Sequence, residues 1–358
     1  MVQKQAESMA AKGYQVCVLT SGYGQRSQTD DSRRGIDVIR IPCSHVLESV
    51  FSIVFPLFSP SLVWETWRQV RRADVVHLHD VFYMSSWVAG TLAVLARKPL
   101  MLTQHVAMVE HSSRFVMFVQ RMVYATVGRW LFSKARKIVA YNQNVYSFLR
   151  SRRVPESRIL SLVNGIDTTE FRPAESDERM AIRKRFALPQ ERPLVLFVGR
   201  LVEKKGYHIL LAARDPAYDL VFVGPGAIPR DATTEGVHWV GPLGQDHTAE
   251  IYRACDLFAF PAAGEIFTLV MQEAMACGLA VVTTDDPAYV GSMVSDAVVL
   301  CRRDADSFKA GIKSLLQDGN RLLALGARSR QLAVRYFDWH RNSSRLLDAY
   351  SDVLCRRA

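Results

Sequence analysis

Residues 193–213 read Pro-Leu-Val-Leu-Phe-Val-Gly-Arg-Leu-Val-Glu-Lys-Lys-Gly-Tyr-His-Ile-Leu-Leu-Ala-Ala. Five apolar residues in a row have no polar alternation, so this run suits a strand covered on both faces, as in a parallel sheet under helices. Gly199 ends the run, and a short charged stretch leads to Gly206 and an apolar segment of helical composition. The unit is strand, loop, helix, with Arg200 and Lys205 in the loop beyond the strand's carboxyl end, where parallel sheets collect ligands.

The same alternation runs outward in both directions. Strands are expected at residues 14–20, 37–42, 74–79, 99–104, 137–141 and 159–163 in the first half, and at 193–199, 219–224, 237–240, 256–261, 279–283 and 297–300 in the second. Each set is expected to form one doubly wound sheet, so the fold class is α/β. At 358 residues the chain exceeds what a single core usually organises. Asn164 to Pro173, with its Asn-Gly turn and closing proline, reads as the break between two domains, residues 1–172 and 173–336. An amphipathic helix in 337–358 is expected to cross back onto the first domain.

Hydrophobic residues at 49% and charged residues at 22% describe a globular chain. Its six cysteines are scattered without C-x-x-C pairs, as in a reducing cytosol. The opening residues lack a secretory apolar core, and residues 49–64, although uncharged, are short and twice interrupted by proline. A cytoplasmic location is the expectation. The net charge of +10 is concentrated: between Glu110 and Glu156 there is no acidic residue and there are nine lysines and arginines.

Two loops carry candidate chemistry. The loop from Gly199 to Gly206 can hold phosphate oxygens through a guanidinium, an ammonium and a helix amino terminus; a solvated basic loop is the alternative. After the strand at 256–261 comes Glu265, then a helix whose first amides, near Phe267, Thr268 and Leu269, favour an anion, and Glu273 a little over two turns on. The alternative for that pair is a helix cap and a solvated carboxylate.

In order along the chain stand DVVHLHD (74–80), TQH (103–105), VNGID (163–167), GRLVEKKG (199–206), FVGPG (222–226), the E-x7-E pair Glu265 and Glu273, and FDW (337–339). This series resembles glycosyltransferase family four, the group-one transferases with a GT-B fold of two Rossmann-like domains facing a cleft. The resemblance implies a metal-independent, retaining transfer of a hexose-type sugar from a nucleoside-diphosphate sugar, a co-substrate rather than a cofactor, to a glycan or lipid-linked acceptor in cell-envelope or exopolysaccharide synthesis. It implies that Arg200 and Lys205 hold the diphosphate, that Glu265 meets the transferred sugar and Glu273 the ribose, and that His105 orients sugar or acceptor. Gly199, Gly224, Leu243, Phe267, Thr268 and Leu269 complete the implied donor site.

Three departures stand out. Family members begin with an apolar strand and glycine-rich loop before the helix that here starts at residue 2, so the first strand is expected to be missing. Thr268 replaces a usual glycine, and Thr284 to Val290 replaces a glycine pair followed by glutamate.

Other patterns have plainer readings. His77 and His79 share a strand face but lack a third ligand, so no metal is assigned. Asp304 and Asp306 form a D-x-D that reads as a helix cap, and Gly22-Tyr23-Gly24 reads as a turn. Arg114, Arg121, Arg129 and Arg136, spaced by seven, eight and seven, would line one quarter of a continuous helix. They suit either an anionic membrane surface or a solvated helix face. No recognition motif supports nucleic-acid binding. A nucleotide-sugar epimerase, a phosphorylase, and a non-catalytic nucleotide-binding or scaffolding homologue are the competing readings.

Overall fold

The computed structural model describes residues 2–23, 35–44, 46, 56–108, 113–163, 165–227, 235–263, 268–286 and 294–355. The chain divides into two compact units, Met1–Asn164 with His340–Ala358, and Gly165–Trp339.

The second unit contains β8 (Leu194–Val198), β9 (Asp219–Val223), β10 (Val237–Gly241), β11 (Leu257–Phe260), β12 (Ala280–Thr284) and β13 (Val298–Cys301). They form one parallel sheet in the order β10-β9-β8-β11-β12-β13. The apolar run of β8 takes the central place, and all five of its residues are buried. Each such side chain contributes roughly 1.5–3 kcal/mol when fully buried. Helices α7 (Ser176–Arg185), α8 (Tyr207–Ala212), α9 (Gln245–Ala254), α10 (Leu269–Ala276), α11 (Ala305–Leu316) and α12 (Gly319–Leu332) accompany the sheet. Arg183 is 4% exposed yet satisfied: it donates to the carbonyls of Ala254 (2.8 Å) and Gln190 (2.8 Å) and to Asp256 Oδ2 (2.8 Å).

The first unit has α1 (Val2–Ala10), β1 (Val16–Tyr23), β2 (Ile36–Ser44), β3 (Leu57–Phe58), α2 (Ser61–Arg72), β4 (Val76–His79), α3 (Met84–Leu95), β5 (Leu100–Gln104), α4 (Arg114–Val123), α5 (Arg129–Lys134), β6 (Lys137–Ala140), α6 (Gln143–Ser151) and β7 (Ile159–Ser161). Its strands form two sheets rather than the single one expected. β1 and β2 pair in parallel with the short antiparallel β3, and β4-β5-β6-β7 form a separate parallel sheet. Among the described residues no strand joins β1 to β4, so the continuous ladder of the second unit has no equivalent here. The last helix, α13 (Trp339–Cys355), packs Leu346, Tyr350 and Val353 against Met101 and Val139 of the four-stranded sheet and Leu162 just after β7.

The division between units falls at residue 164, the start of the expected linker, not after residue 172. Residues 165–172 are tied into the second unit: the Ile166 amide donates to the Phe337 carbonyl (2.8 Å), and Arg330 Nη1 donates to the carbonyls of Thr168 (3.1 Å) and Phe171 (2.9 Å).

The expected arginine stripe is also broken. A π-helical turn at Tyr124–Gly128 joins α4 to α5 without interrupting the helical run, which ends at Lys134. Arg136 lies beyond α5, half-buried, donating from Nη1 to the Val353 carbonyl (2.6 Å). No helix among the described residues is long and apolar enough to cross a membrane.

Candidate functional site

In the second unit the chain passes from β8 to β9 on one side and from β11 to β12 on the other. Loops leaving the adjacent carboxyl ends of β8 and β11 therefore diverge and open a crevice. The backbone there is packed without room for side chains. A Cβ on Gly224 would lie 2.1 Å from the Gly199 carbonyl oxygen, and a Cβ on Gly206, at φ +79°, would lie 2.2 Å from that of Pro261. The glycines let the ends of β8, β9 and β11 touch as bare backbone, a geometry that also admits close approach of a ligand.

Further hydrogen bonds hold these ends together. The Gly199 amide donates to the Val223 carbonyl (2.9 Å), Gly224 to Gly241 (2.9 Å), and Ala263 to Lys204 (3.1 Å). Arg303, just after β13, donates from Nε to the Pro261 carbonyl (3.0 Å) and from Nη2 to that of Glu203 (2.8 Å). It clamps the Arg200–Lys205 loop to the end of β11. Sequence reasoning missed Arg303 because its two acceptors are backbone atoms far away in sequence.

Of the expected donor residues, Gly199, Arg200, Lys205 and Gly224 come together at this crevice. Arg200 is exposed, and its guanidinium has no hydrogen bond or ion pair among the described residues. Lys205 Nζ stands 5.5 Å from the centre of the Phe260 ring, a cation–π arrangement that holds the ammonium at the strand ends. Leu243 is half-buried two residues beyond Gly241. Glu265 and Phe267 lie outside the described residues.

Thr268 and Leu269 stand at the amino terminus of α10. Thr268 does not cap the helix with its side chain, and its buried hydroxyl has no partner among the described residues. Glu273, on the second turn, is half-buried with Oε2 3.1 Å from the Tyr252 hydroxyl, which is also 2.9 Å from the Val270 carbonyl. Burial first, and then the Glu273 charge, push the Tyr252 phenol well above its ordinary pKa, so it stays a neutral donor. Asp304 caps α11, its Oδ1 accepting from the Ser307 amide (2.8 Å), and that bond holds its carboxyl below the usual range. Among the described residues there is no cluster of three or more histidine, cysteine, aspartate or glutamate side chains suited to a metal ion.

In the first unit His105, immediately after β5, belongs to a stack of rings. His77 and His79 have centroids 4.7 Å apart, His79 and His105 5.3 Å, and His105 and Tyr141 5.8 Å. His77 Nε2 is 2.8 Å from Thr103 Oγ1, its Nδ1 meets the Tyr350 hydroxyl from α13, and His79 Nδ1 is 3.0 Å from His105 Nε2. Ring faces on both sides exclude water even where the edges remain partly open. Desolvation therefore lowers all three imidazoles, His79 to about 3, with mutual repulsion of the charged forms adding to it at His77 and His79. They are neutral at pH 7.

Asp80 ends β4 in a left-handed conformation, φ 62°, and its Oδ1 accepts from Gln104 Nε2 (2.7 Å) and the His105 amide (3.0 Å). Burial raises its pKa against the lowering effect of those donors. Asp80 thereby fixes the backbone of His105. The shared face of His77 and His79 was legible in their spacing, but Tyr350, some 270 positions away, was not.

Two parallel α/β units, one with a glycine-lined basic crevice at its strand ends, define the architecture of GT-B glycosyltransferases. Solved structures of similar fold include sucrose-phosphate synthase from Thermosynechococcus elongatus, with a TM-score of 0.73 at 20% identity over 99% of this chain and 93% of that one. Anabaena HepE in complex with UDP gives 0.73 at 17% identity over 98% and 96%. The model for Glycosyltransferase Family 4 matches residues 1–170 and that for Glycosyl transferases group 1 matches residues 178–332. The chain belongs to this family of glycosyltransferases. Among its relatives, the D-inositol 3-phosphate glycosyltransferase of Salinispora tropica is 29% identical over 327 residues, 80% of this chain and 67% of that protein. The enzyme of the same name from Mycolicibacterium smegmatis is 28% identical over 313 residues, 80% and 70%.

Proposed function

We propose that this glycosyltransferase takes a hexose-type sugar from a nucleoside-diphosphate donor and places it, with retention of configuration and without a metal ion, on a glycan or lipid-linked acceptor. The observation that carries the reading is the Arg200–Lys205 loop, clamped by Arg303 beside the ends of β9 and β11, with an unpaired guanidinium. Negative charge develops on the departing diphosphate, and preorganised cations there stabilise the transition state more than the ground state. Two positive side chains on one clamped loop offer the neutralisation that a divalent ion supplies elsewhere. Glu273, oriented by Tyr252, accepts from ribose hydroxyls; Glu265 meets the transferred sugar; neutral His105 donates to sugar or acceptor. HepE, a protein of the same fold, is known in complex with UDP and with UDP-glucose, which makes UDP the first nucleotide to try.

The acceptor side rests on the surface of α4. Phe115 is 69% exposed, Phe118 59% and Met122 47%, with Arg114 and Arg121 also exposed. Exposed aromatic and basic residues on one helix suit an anionic bilayer surface, and support a cytoplasmic protein working at the membrane's inner face in cell-envelope glycan synthesis.

The test is thermal stability of the chain with UDP, GDP and ADP, with and without EDTA. One nucleotide should raise the melting temperature regardless of EDTA, and Arg200→Ala should abolish the rise. A chain indifferent to all three nucleotides would sink the donor-site reading, and a rise that EDTA removes would sink metal independence.

A further inference from the structure

A second basic cavity lies in the first unit, and none of its residues belongs to the donor or histidine sites. It has a volume of about 460 Å³ and is lined by Arg129, Arg152, Arg153 and Arg158, with Ser133, Ser151 and Tyr124. It lies where α5 and α6 end, ahead of β6 and β7.

The four guanidinium groups are not equivalent. Arg158 Nη1 donates to the carbonyls of Ser133 (3.0 Å) and Ala135 (3.3 Å), satisfying the carboxyl end of α5. Arg152 is held between rings, its Cζ 5.0 Å from the Phe148 centroid and 5.8 Å from that of Tyr124, while its buried Nε has no hydrogen-bond partner. Arg129 and Arg153 are exposed, and no carboxylate among the described residues forms an ion pair with Arg129, Arg152 or Arg153. The sequence explains the imbalance, since no acidic residue occurs between Glu110 and Glu156, and Glu156 accepts from the Tyr146 hydroxyl (2.9 Å). Like charges gathered round one cavity repel unless an anion joins them.

We propose that this cavity binds a phosphate ester, its anionic oxygens taken by Arg129, Arg152 and Arg153. Guanidinium forks match phosphate oxygens in pairs, and the volume exceeds what a bare ion fills. The ester is carried either by a soluble metabolite or by a lipid headgroup, which share this chemistry.

The test uses the full chain and sn-glycerol 3-phosphate at constant ionic strength, with chloride as the balancing anion. A saturable rise in melting temperature is expected. It should survive Arg200→Ala, which silences the donor loop, and weaken by about tenfold or more in Arg152→Gln/Arg153→Gln. Arg129→Gln alone, on the exposed rim, should weaken it by about threefold without disturbing the fold. The proposal is overturned by the absence of a saturable rise, by a rise unchanged in Arg152→Gln/Arg153→Gln and in Arg129→Gln, or by one lost with Arg200→Ala. Flotation with phosphatidylcholine vesicles containing phosphatidic acid separates the sources. Binding that glycerol 3-phosphate competes away marks a headgroup site, whereas saturable soluble binding without flotation marks a metabolite site.

Discussion

The two units make instructive twins. In the second, β8 lies between β9 and β11, its ladder satisfied on both edges and its five residues buried. In the first, β1 pairs with β2 and β4 with β5, but among the described residues no strand occupies the place between β1 and β4 that β8 holds in its twin. The consequence is visible in burial: Cys17 and Thr20 of β1 are exposed and Val16, Val18 and Leu19 only half-buried. A central strand does more than add one apolar row; it makes its neighbours interior strands with both hydrogen-bonding edges paired.

The largest expected effect separates the units by backbone packing. Gly224→Ala forces a Cβ against the Gly199 carbonyl at φ +138° and should cost about 3–5 kcal/mol. Gly22→Ala in β1 meets Arg40 Cβ at 3.1 Å and backbone atoms no nearer than 3.6 Å, and should cost less than about 1 kcal/mol. Urea unfolding of the two variants measures the contrast, and equal losses would break it.

Acid should act on the first unit. Its histidines have folded-state pKa values below the unfolded value, so the unfolded chain binds more protons. Their contribution is therefore full above pH 6.5 and declines as pH falls toward the His79 value of about 3. Each contributes up to about 1.4 kcal/mol per pH unit in that window. His79→Gln should flatten the dependence, measured by denaturation at pH 7, 6 and 5. A slope unchanged by that substitution would show that the stack does not govern acid stability.

Hydrogen exchange should resolve the edges: amides of β1 should exchange at least about tenfold faster than those of β8. Equal protection would mean that the split sheet is as firmly closed as its twin. The smallest effect is expected at Thr268→Val, which removes a buried hydroxyl without a partner and should stabilise the second unit by up to about 1 kcal/mol. Loss of stability there would show that the hydroxyl has a partner in the folded chain.

Every strand longer than two residues was legible as a short apolar stretch, most plainly β5, β8, β9 and β11, where burial on both faces writes itself into consecutive residues. The candidate site was legible in part. Gly199, Arg200, Lys205 and Gly224 follow strands directly, so their place at one crevice follows from topology, whereas Arg303 reaches that crevice from after β13 and carries no local signal. The arginine spacing read as one helical face because a single helix was assumed. The stripe ends because that helix stops at Lys134, and Arg136 beyond it turns to the Val353 carbonyl, far away in sequence.

The sequence by itself determined the α/β class, the order of strands and the residues at their carboxyl ends, since these depend on patterns spanning only a few residues. The tertiary structure alone decided that the first unit's strands form two sheets, that Tyr350 closes a column of three neutral histidines, and that Arg129, Arg152, Arg153 and Arg158 line one cavity. Those outcomes depend on contacts between segments tens to hundreds of residues apart, and such contacts are selected by packing and desolvation of the whole chain rather than by local propensity.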